Sequence, residues 1–174
     1  KISSTLLKNI STPILMLLFS LIGFVGIQNV TKNTKFSQDK IEKQARGFHT
    51  WHASTGGSVY DLGEIEYTPI GLVKKIPLAL NATFFRPYIW TARNPIMLVG
   101  ALESTLVLLF FIYVLYLTKL NPIKYLYGSS FMLSLMFFIL IFGFAVGFTS
   151  YNFGALARYK MPVFSLFILS LLYI

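Results

Sequence analysis

Residues 85–117 read FRPYIWTARNPIMLVGALESTLVLLFFIYVLYL, and this stretch decides how the rest of the chain is interpreted. It opens with two arginines among aromatic side chains and continues, from Asn94 and Pro95, as about twenty apolar residues. An α-helix needs about 20 apolar residues to cross a hydrocarbon core roughly 30 Å thick. Aromatic residues such as Trp90 are typical of the boundary between membrane and water. The stretch therefore predicts a transmembrane helix with an aromatic and basic approach.

The composition of the whole chain indicates the same solvent. Of its 174 residues, 55% are hydrophobic and 12% are charged, and the mean hydropathy is +0.67. Soluble domains carry about 25% charged residues, so the chain belongs to the membrane class. The net charge of +9 accompanies basic residues that flank apolar segments, which favours anionic lipid or a phosphorylated lipid as partner. Nucleic acid is excluded as a partner because no binding motif for it is visible.

Apolar runs divide the chain into three parts, and together they predict an all-α fold of polytopic transmembrane helices. Residues 1–30 hold a basic leader and a first transmembrane helix, residues 31–94 form a long loop, and residues 95–174 hold helices two to four. Within that last part we expect helices over residues 95–117 and 129–148 and from about Lys160 onward. The final apolar run has about 14 residues, or roughly 21 Å at 1.5 Å per residue. It is therefore expected to be a truncated helix in the later portion of a longer protein.

The long loop and the short loops carry different topological information. Residues 70–80 are apolar on one side but interrupted by Lys74 and Lys75, which predicts a helix lying at the membrane interface. The short loop that holds Lys119 and Lys124 contains no acid, so the positive-inside rule places it in the cytoplasm. Alternation then makes residues 31–94 extracytoplasmic.

One carboxylate, Glu103, stands inside the apolar run of the second helix. A charged side chain within a spanning helix is costly and needs a partner or a function. Glu103 is therefore a candidate catalytic acid or base. The alternative is an ion pair with a cation such as Arg93, Arg158 or Lys160, or a position near the interface.

Four cations lie at the expected mouths of two helices on one side of the membrane. Arg86 and Arg93 approach the second helix beside Trp90, and Arg158 and Lys160 approach the last. Arginine matches phosphate oxygens with a fork of donors, so the four cations are candidates for holding a diphosphate, and Trp90 among them is a further candidate for binding the substrate. The alternative is ordinary anchoring of helix ends at the interface.

Other polar residues give weaker patterns for chemistry. Asp61, with Glu64 and Glu66, is a candidate base or divalent-cation ligand in the loop, or simply part of a solvated segment. His49 and His52 have helical spacing, but no further ligand completes a metal set. No cofactor motif is present, and without cysteine the chain has no thiolate chemistry.

Two stretches resemble a known class of proteins. One is STGGS at residues 54–58, followed by Pro77 and by FRPYIW at residues 85–90; the other is NFGALARYKMP at residues 152–162. Together they resemble the later part of polytopic proteins of bacterial cell-envelope polysaccharide assembly, of the O-antigen polymerase and lipid-linked-sugar glycosyltransferase type. The resemblance implies a multi-pass protein of the bacterial inner membrane that contacts a polyprenyl-diphosphate-linked sugar. It also implies that the catalytic acid of the glycosyltransferase type lies earlier in the protein.

Three functions remain open at this level. The first is a membrane glycosyltransferase or polysaccharide polymerase that stabilises a leaving diphosphate electrostatically. The second is a non-enzymatic anchor or accessory subunit, with residues 31–94 as the surface for a membrane-protein partner. The third is a transporter coupled through Glu103, which the absence of an inverted repeat disfavours.

Overall fold

The computed structural model describes residues 58–126 and 129–174 and, before them, residues 14–15, 17–23, 25–26, 40, 42–43, 46–47 and 50–51, which are all helical. From residue 58 onward the helices are α1 (Pro69–Phe85), α2 (Pro95–Leu117), α3 (Ile123–Leu126), α4 (Ser130–Thr149) and α5 (Phe153–Tyr173), with a 3₁₀ helix at Ile89–Thr91. These residues contain no β-strand, although an isolated antiparallel bridge joins Val59 to Asn152. The expected all-α fold is confirmed for this part of the chain.

Three of these helices are long and apolar enough to cross a membrane. They are α2, α4 and α5, with 23, 20 and 21 residues. The bounds of α2 and α4 agree with the runs predicted at 95–117 and 129–148, and the three helices support a membrane protein. The first transmembrane helix, expected within residues 1–30, extends beyond the described residues and stays a prediction.

The last helix differs from the expectation, because α5 begins at Phe153 and not near Lys160. Asn152 caps it by accepting a hydrogen bond from the backbone N–H of Gly154, and Pro162 lies inside the helix without ending it. Residues 153–159, which precede the expected start of the last helix, are therefore the first turns of a helix long enough to span. The expectation of a short last helix was wrong because Lys160, a charged residue that broke the apolar run, is buried inside the bundle.

Helix α1 is also longer and more buried than predicted. Thr68 caps its N-terminus, and its C-terminal half places Ala79, Ala82 and Thr83 with no exposed surface. The helix packs against α2, α4 and α5, so the interfacial position expected for residues 70–80 is not confirmed. Apolar residues occur on more than one side of α1: Ala79 and Ala82 are buried, whereas Ile70 and Val73 are exposed.

Small residues allow α1 to lie close to α4. A Cβ added at Gly147 would overlap the carbonyl of Ala79 and the hydroxyl of Thr83, and one added at Gly143 would lie 2.8 Å from the ring of Phe84. The hydroxyl of Thr83 donates to the carbonyl of Gly143 at 2.6 Å. Close approach through small residues and interhelical hydrogen bonds is the usual way in which helices associate in lipid.

The contacts between helices also fix their relative directions. Ala79 faces Gly147 and Thr83 faces Gly143, so α1 and α4 are antiparallel. The hydroxyl of Ser104 on α2 donates to the carbonyl of Arg86, which follows α1, at 3.0 Å. Ser104 lies ten residues after Asn94, or roughly 15 Å along α2 at 1.5 Å per residue. The chain therefore enters the bundle along α1. Residues 86–94 then bring it back to the end of the bundle at which α1 began, and α2 begins there.

We predict that Gly147→Ala destabilises the bundle by about 1–3 kcal/mol, the usual range for overpacking a filled interior. The new methyl group must push α1 away from α4, because it meets backbone at Ala79. The measurement is the midpoint of unfolding in detergent. Gly100→Ala in α2 is the control, since its Cβ meets nothing within 4 Å. Equal midpoints for the two variants would show that α1 does not pack on α4 in this way.

Candidate functional site

A cavity of about 190 Å³ opens where the end of α1 meets the first turns of α2 and α5. We call it the polar pocket; its lining includes Ser58, Arg86, Asn94, Glu103, Gly154 and Lys160. Asn94 and Gly154 stand at the N-termini of α2 and α5, so both helices begin at this end of the bundle. The sequence prediction that these two helix mouths share one side agrees with this arrangement.

Lys160 provides the buried charge of the polar pocket. Only 3% of its surface is exposed, and its Nζ donates to Ser104 Oγ at 3.0 Å. The same ammonium lies 4.2 Å from the centre of the Phe164 ring, a cation–π contact, and 3.9 Å from Glu103 Oε2. A buried ammonium needs such partners because desolvation costs several kcal/mol per ion. The ring, the hydroxyl and the carboxylate together hold the charge inside the bundle.

Glu103 lies on the open side of the same pocket. Its side chain is 55% exposed, whereas that of Lys160 is 4% exposed. The geometry supplies the ion pair that the sequence left as an alternative to a catalytic role. Because more than half of the carboxylate side chain stays accessible, the ion pair does not prevent it from meeting a ligand.

Arg86 reaches the polar pocket from the turn that ends α1. Ser104 fixes this turn by donating to the Arg86 carbonyl, one of the groups that a helix end leaves without an intrahelical partner. The guanidinium lies 5.7 Å from the centre of the Tyr88 ring, and Tyr88 stacks on Trp90 at 4.7 Å. Trp90 is 78% exposed. The predicted aromatic and basic approach thus forms a layered Arg–Tyr–Trp group beside the pocket.

The other predicted cations lie elsewhere. Arg158 points to the opposite side of α5, where it lines a separate cavity with Thr149 and Tyr159 and donates to the Gly154 carbonyl at 3.3 Å. Arg93 is exposed between the 3₁₀ helix and α2 and does not line the polar pocket. Of the four cations expected to form one clamp, the polar pocket brings together Arg86 and Lys160.

The predicted acids of the loop are not part of the polar pocket. Asp61 is exposed, and its carboxylate accepts a hydrogen bond from the backbone N–H of Gly63 at 2.8 Å. Among the residues that the structure describes, no group of three or more His, Asp or Glu side chains could hold a metal ion. His49 and His52 lie outside the described residues. The divalent cation considered for Asp61, Glu64 and Glu66 therefore gains no geometric support.

The loop before α1 is fastened to the bundle at the same end. The hydroxyl of Tyr60 donates to the carbonyl of Gly147 at 2.7 Å, and the backbone N–H of Phe153 donates to the carbonyl of Ser58 at 2.8 Å. Burial raises the pKa of Tyr60 well above its ordinary range, so the phenol remains a neutral donor. These bonds hold Ser58 at the edge of the polar pocket.

Sequence reasoning missed Ser104, which connects three parts of the site. Its hydroxyl accepts from Lys160 on α5 and donates to the carbonyl of Arg86 after α1, and the residue itself lies on α2 with no exposed surface. The sequence pattern that could have identified Ser104 was a second polar residue beside Glu103 within a long apolar run. Two adjacent polar positions point in different directions on a helix, so one can face the bundle while the other faces outward.

Comparisons with protein-family models, with curated proteins and with solved structures find no match to this chain. The chemistry of the polar pocket is therefore the basis for a function. Its charged groups are two cations and one carboxylate, at one end of helices able to cross a membrane. Two cations against one carboxylate leave a net positive charge, so such a site favours an anion.

We predict that Ser104→Ala destabilises the protein by about 1–3 kcal/mol, the cost of leaving buried polar partners unsatisfied. Both the Lys160 ammonium and the Arg86 carbonyl lose their bond to Ser104, and the midpoint of unfolding in detergent should fall. Ser165→Ala is the matched control, since Ser165 is exposed on α5 and donates only to its own helix at Met161. Unfolding midpoints that do not differ between the two variants would contradict the joining role of Ser104.

Proposed function

We propose that this chain is a multi-pass membrane protein of bacterial envelope glycan assembly that binds a polyprenyl-diphosphate-linked sugar. The observation that carries the proposal is the convergence of Arg86 and Lys160, two cations from distant parts of the chain, beside the accessible carboxylate of Glu103. The diphosphate is the anionic group of such a substrate, and it is therefore the group that two cations recognise. The bacterial inner membrane is the compartment in which this substrate class occurs.

The two cations offer different kinds of contact to a diphosphate. Arg86 presents a planar fork of donors that suits two phosphate oxygens, and Lys160 presents a compact charge from the pocket wall. The pocket volume of about 190 Å³ suits a small anionic group, with the sugar and the lipid chain outside it. Ile96, which lines the pocket and is 87% exposed, marks a side on which the lipid can lie.

In glycosyl transfer, an acceptor hydroxyl attacks the anomeric carbon while the bond from that carbon to the diphosphate oxygen breaks. The diphosphate leaves with the bonding electrons, and Arg86 and Lys160 stabilise its added charge. The proton of the acceptor hydroxyl passes to a carboxylate, and Glu103 is the carboxylate that lines the pocket. Asp61, the other acid considered from the sequence, lies outside the pocket lining and is the weaker candidate.

The resemblance to envelope-polysaccharide proteins adds a second line of support. FRPYIW supplies Arg86, and NFGALARYKMP supplies Lys160. These two stretches are far apart in the sequence, yet residues from both line the same pocket. A shared substrate group is one reason for two such stretches to meet.

The contacts of Lys160 also favour a second candidate, a non-enzymatic anchor or accessory subunit of a larger envelope complex. The ammonium already has a hydroxyl, an aromatic ring and a carboxylate as partners within the chain. The role of such a cluster can be purely structural, namely to join α2 to α5. On this alternative, the protein co-purifies with a stoichiometric partner, and loss of the Arg86 guanidinium leaves complex formation unchanged.

We predict that Arg86→Ala weakens binding of a polyprenyl diphosphate to the protein in lipid nanodiscs roughly 10- to 100-fold. Hydrogen bonds to charged groups contribute about 1.5–3 kcal/mol, which corresponds to that range of affinity. A neutral polyprenol and inorganic diphosphate, measured in parallel, separate recognition of the chain from recognition of the charge. The guanidinium lies against the ring of Tyr88, which is outside the helices, so the variant should keep its unfolding midpoint.

Two further variants complete this experiment. Lys124→Ala removes an exposed cation from α3, beyond the other end of α2, and should leave the affinity unchanged. Arg158→Ala removes a cation at the same end but outside the polar pocket, so weaker binding in this variant would mean that the wider rim holds the anion, as the sequence alone predicted. Wild-type affinity in Arg86→Ala would contradict the proposal and favour the accessory subunit.

A further inference from the structure

A second cavity, of about 320 Å³, lies beneath the end of α1, and we call it the apolar cavity. Its walls come from α1, α2, α4 and α5 and include Phe84, Phe85, Phe111, Met136, Leu140 and Phe167. None of its lining side chains is polar, and none of them also lines the polar pocket. It is therefore a separate site with a different chemistry.

The apolar cavity exists because α1 is shorter than its neighbours. Helix α1 ends at Phe85 within the bundle, whereas α2, α4 and α5 continue past that level. The rings of Phe84 and Phe85 lie 4.4 and 6.1 Å from the ring of Phe167 and form the roof of the cavity. Protein interiors are normally filled to crystal density, so an unfilled space of this size calls for an occupant.

The lining of the apolar cavity restricts what that occupant is. Water needs two to four polar partners, and the lining side chains offer none. A thin, flexible, apolar chain meets this restriction, because it has no polar group that the lining would leave without a partner.

The apolar cavity is reached from the side on which lipid would lie. Leu140 is 44% exposed, and Met136 and Leu115 are half-buried, so the wall between α2 and α4 is incomplete. Both helices are long and apolar enough to span, which places this opening at the depth of lipid acyl chains. The two cavities share no lining residue, so a chain in the apolar cavity need not belong to the ligand of the polar pocket. A lipid of the surrounding bilayer is the simplest source of such a chain.

We infer that the apolar cavity binds one acyl chain of a membrane phospholipid. The bound chain supports Phe85, and Phe85 immediately precedes Arg86 in the polar pocket. Occupancy of the cavity therefore holds the end of α1 at the depth at which Arg86 lies in the pocket. The inference does not depend on which anion the polar pocket takes.

The test uses the protein in vesicles of phosphatidylethanolamine and phosphatidylglycerol that contain a phosphatidylcholine with a photoactivatable diazirine near the end of one acyl chain. Mass spectrometry maps the labelled residues. We expect labelling of the cavity residues Phe111, Leu115 and Met136 that saturates as the share of probe lipid rises. Labelling of exposed residues such as Leu109, which is 58% exposed on α2, should instead rise in proportion to the probe.

Variants then locate the saturable labelling. Met136→Trp fills the cavity and should reduce labelling there severalfold, and Leu140→Phe is a milder filler if the larger side chain impairs folding. Ile141→Trp is the control, because Ile141 is 52% exposed and does not line the cavity. Labelling without saturation, or labelling that neither filler reduces, would overturn the inference. An unlabelled cavity in the wild-type protein would also overturn it and would indicate cover by another part of this chain or by a second copy.

Discussion

The arrangement of α2 and α5 depends on the buried ammonium of Lys160. In a bundle whose helices can lie in lipid, this charge needs partners within the protein. Lys160 meets this need with a hydroxyl, a ring and a carboxylate, and two of those three groups belong to α2. The polar pocket follows from this requirement, because the carboxylate of Glu103 lies at the same end of the bundle as the ammonium. A polar group without a partner in hydrocarbon costs several kcal/mol, so these contacts fix how α2 and α5 face each other.

The second constraint is the depth at which α1 stops. The hydrogen bonds from Thr83 to the Gly143 carbonyl and from Ser104 to the Arg86 carbonyl hold the end of α1 inside the bundle. Because α1 stops at this depth, two adjacent residues line different cavities: Phe85 lines the apolar cavity, and Arg86 lines the polar pocket. A helix that crossed the whole bundle would leave room for neither cavity.

The sequence predicted those parts of the fold in which hydrophobicity alone decides the structure. Long apolar runs located α2 and α4, because a helix in lipid needs apolar side chains on every side. Hydrophobicity failed where charged residues occur within helices of the bundle. Lys160, which is buried, interrupted the run of α5, whereas Lys74, which is exposed, and Lys75, which is half-buried, made α1 resemble a surface helix. Which side of α5 a residue faces depends on packing against α4 and α2. For that reason, the cluster of four cations could not be separated in advance into Lys160 on one side and Arg158 on the other.

The lengths of the contacts around Lys160 bear on how one pocket can hold both an anion and a proton acceptor. The ammonium lies 3.0 Å from the hydroxyl of Ser104 but 3.9 Å from the carboxylate of Glu103, which is beyond the usual hydrogen-bond length. Ser104 therefore positions the charge, while Glu103 balances it from a distance and keeps its oxygens accessible. An arriving anion needs only to share the ammonium with Ser104, since it does not have to break a direct bond to Glu103. The carboxylate then remains beside the bound anion, where an acceptor hydroxyl would lose its proton. This separation is the physical basis of the proposal that binding and proton transfer belong to neighbouring residues.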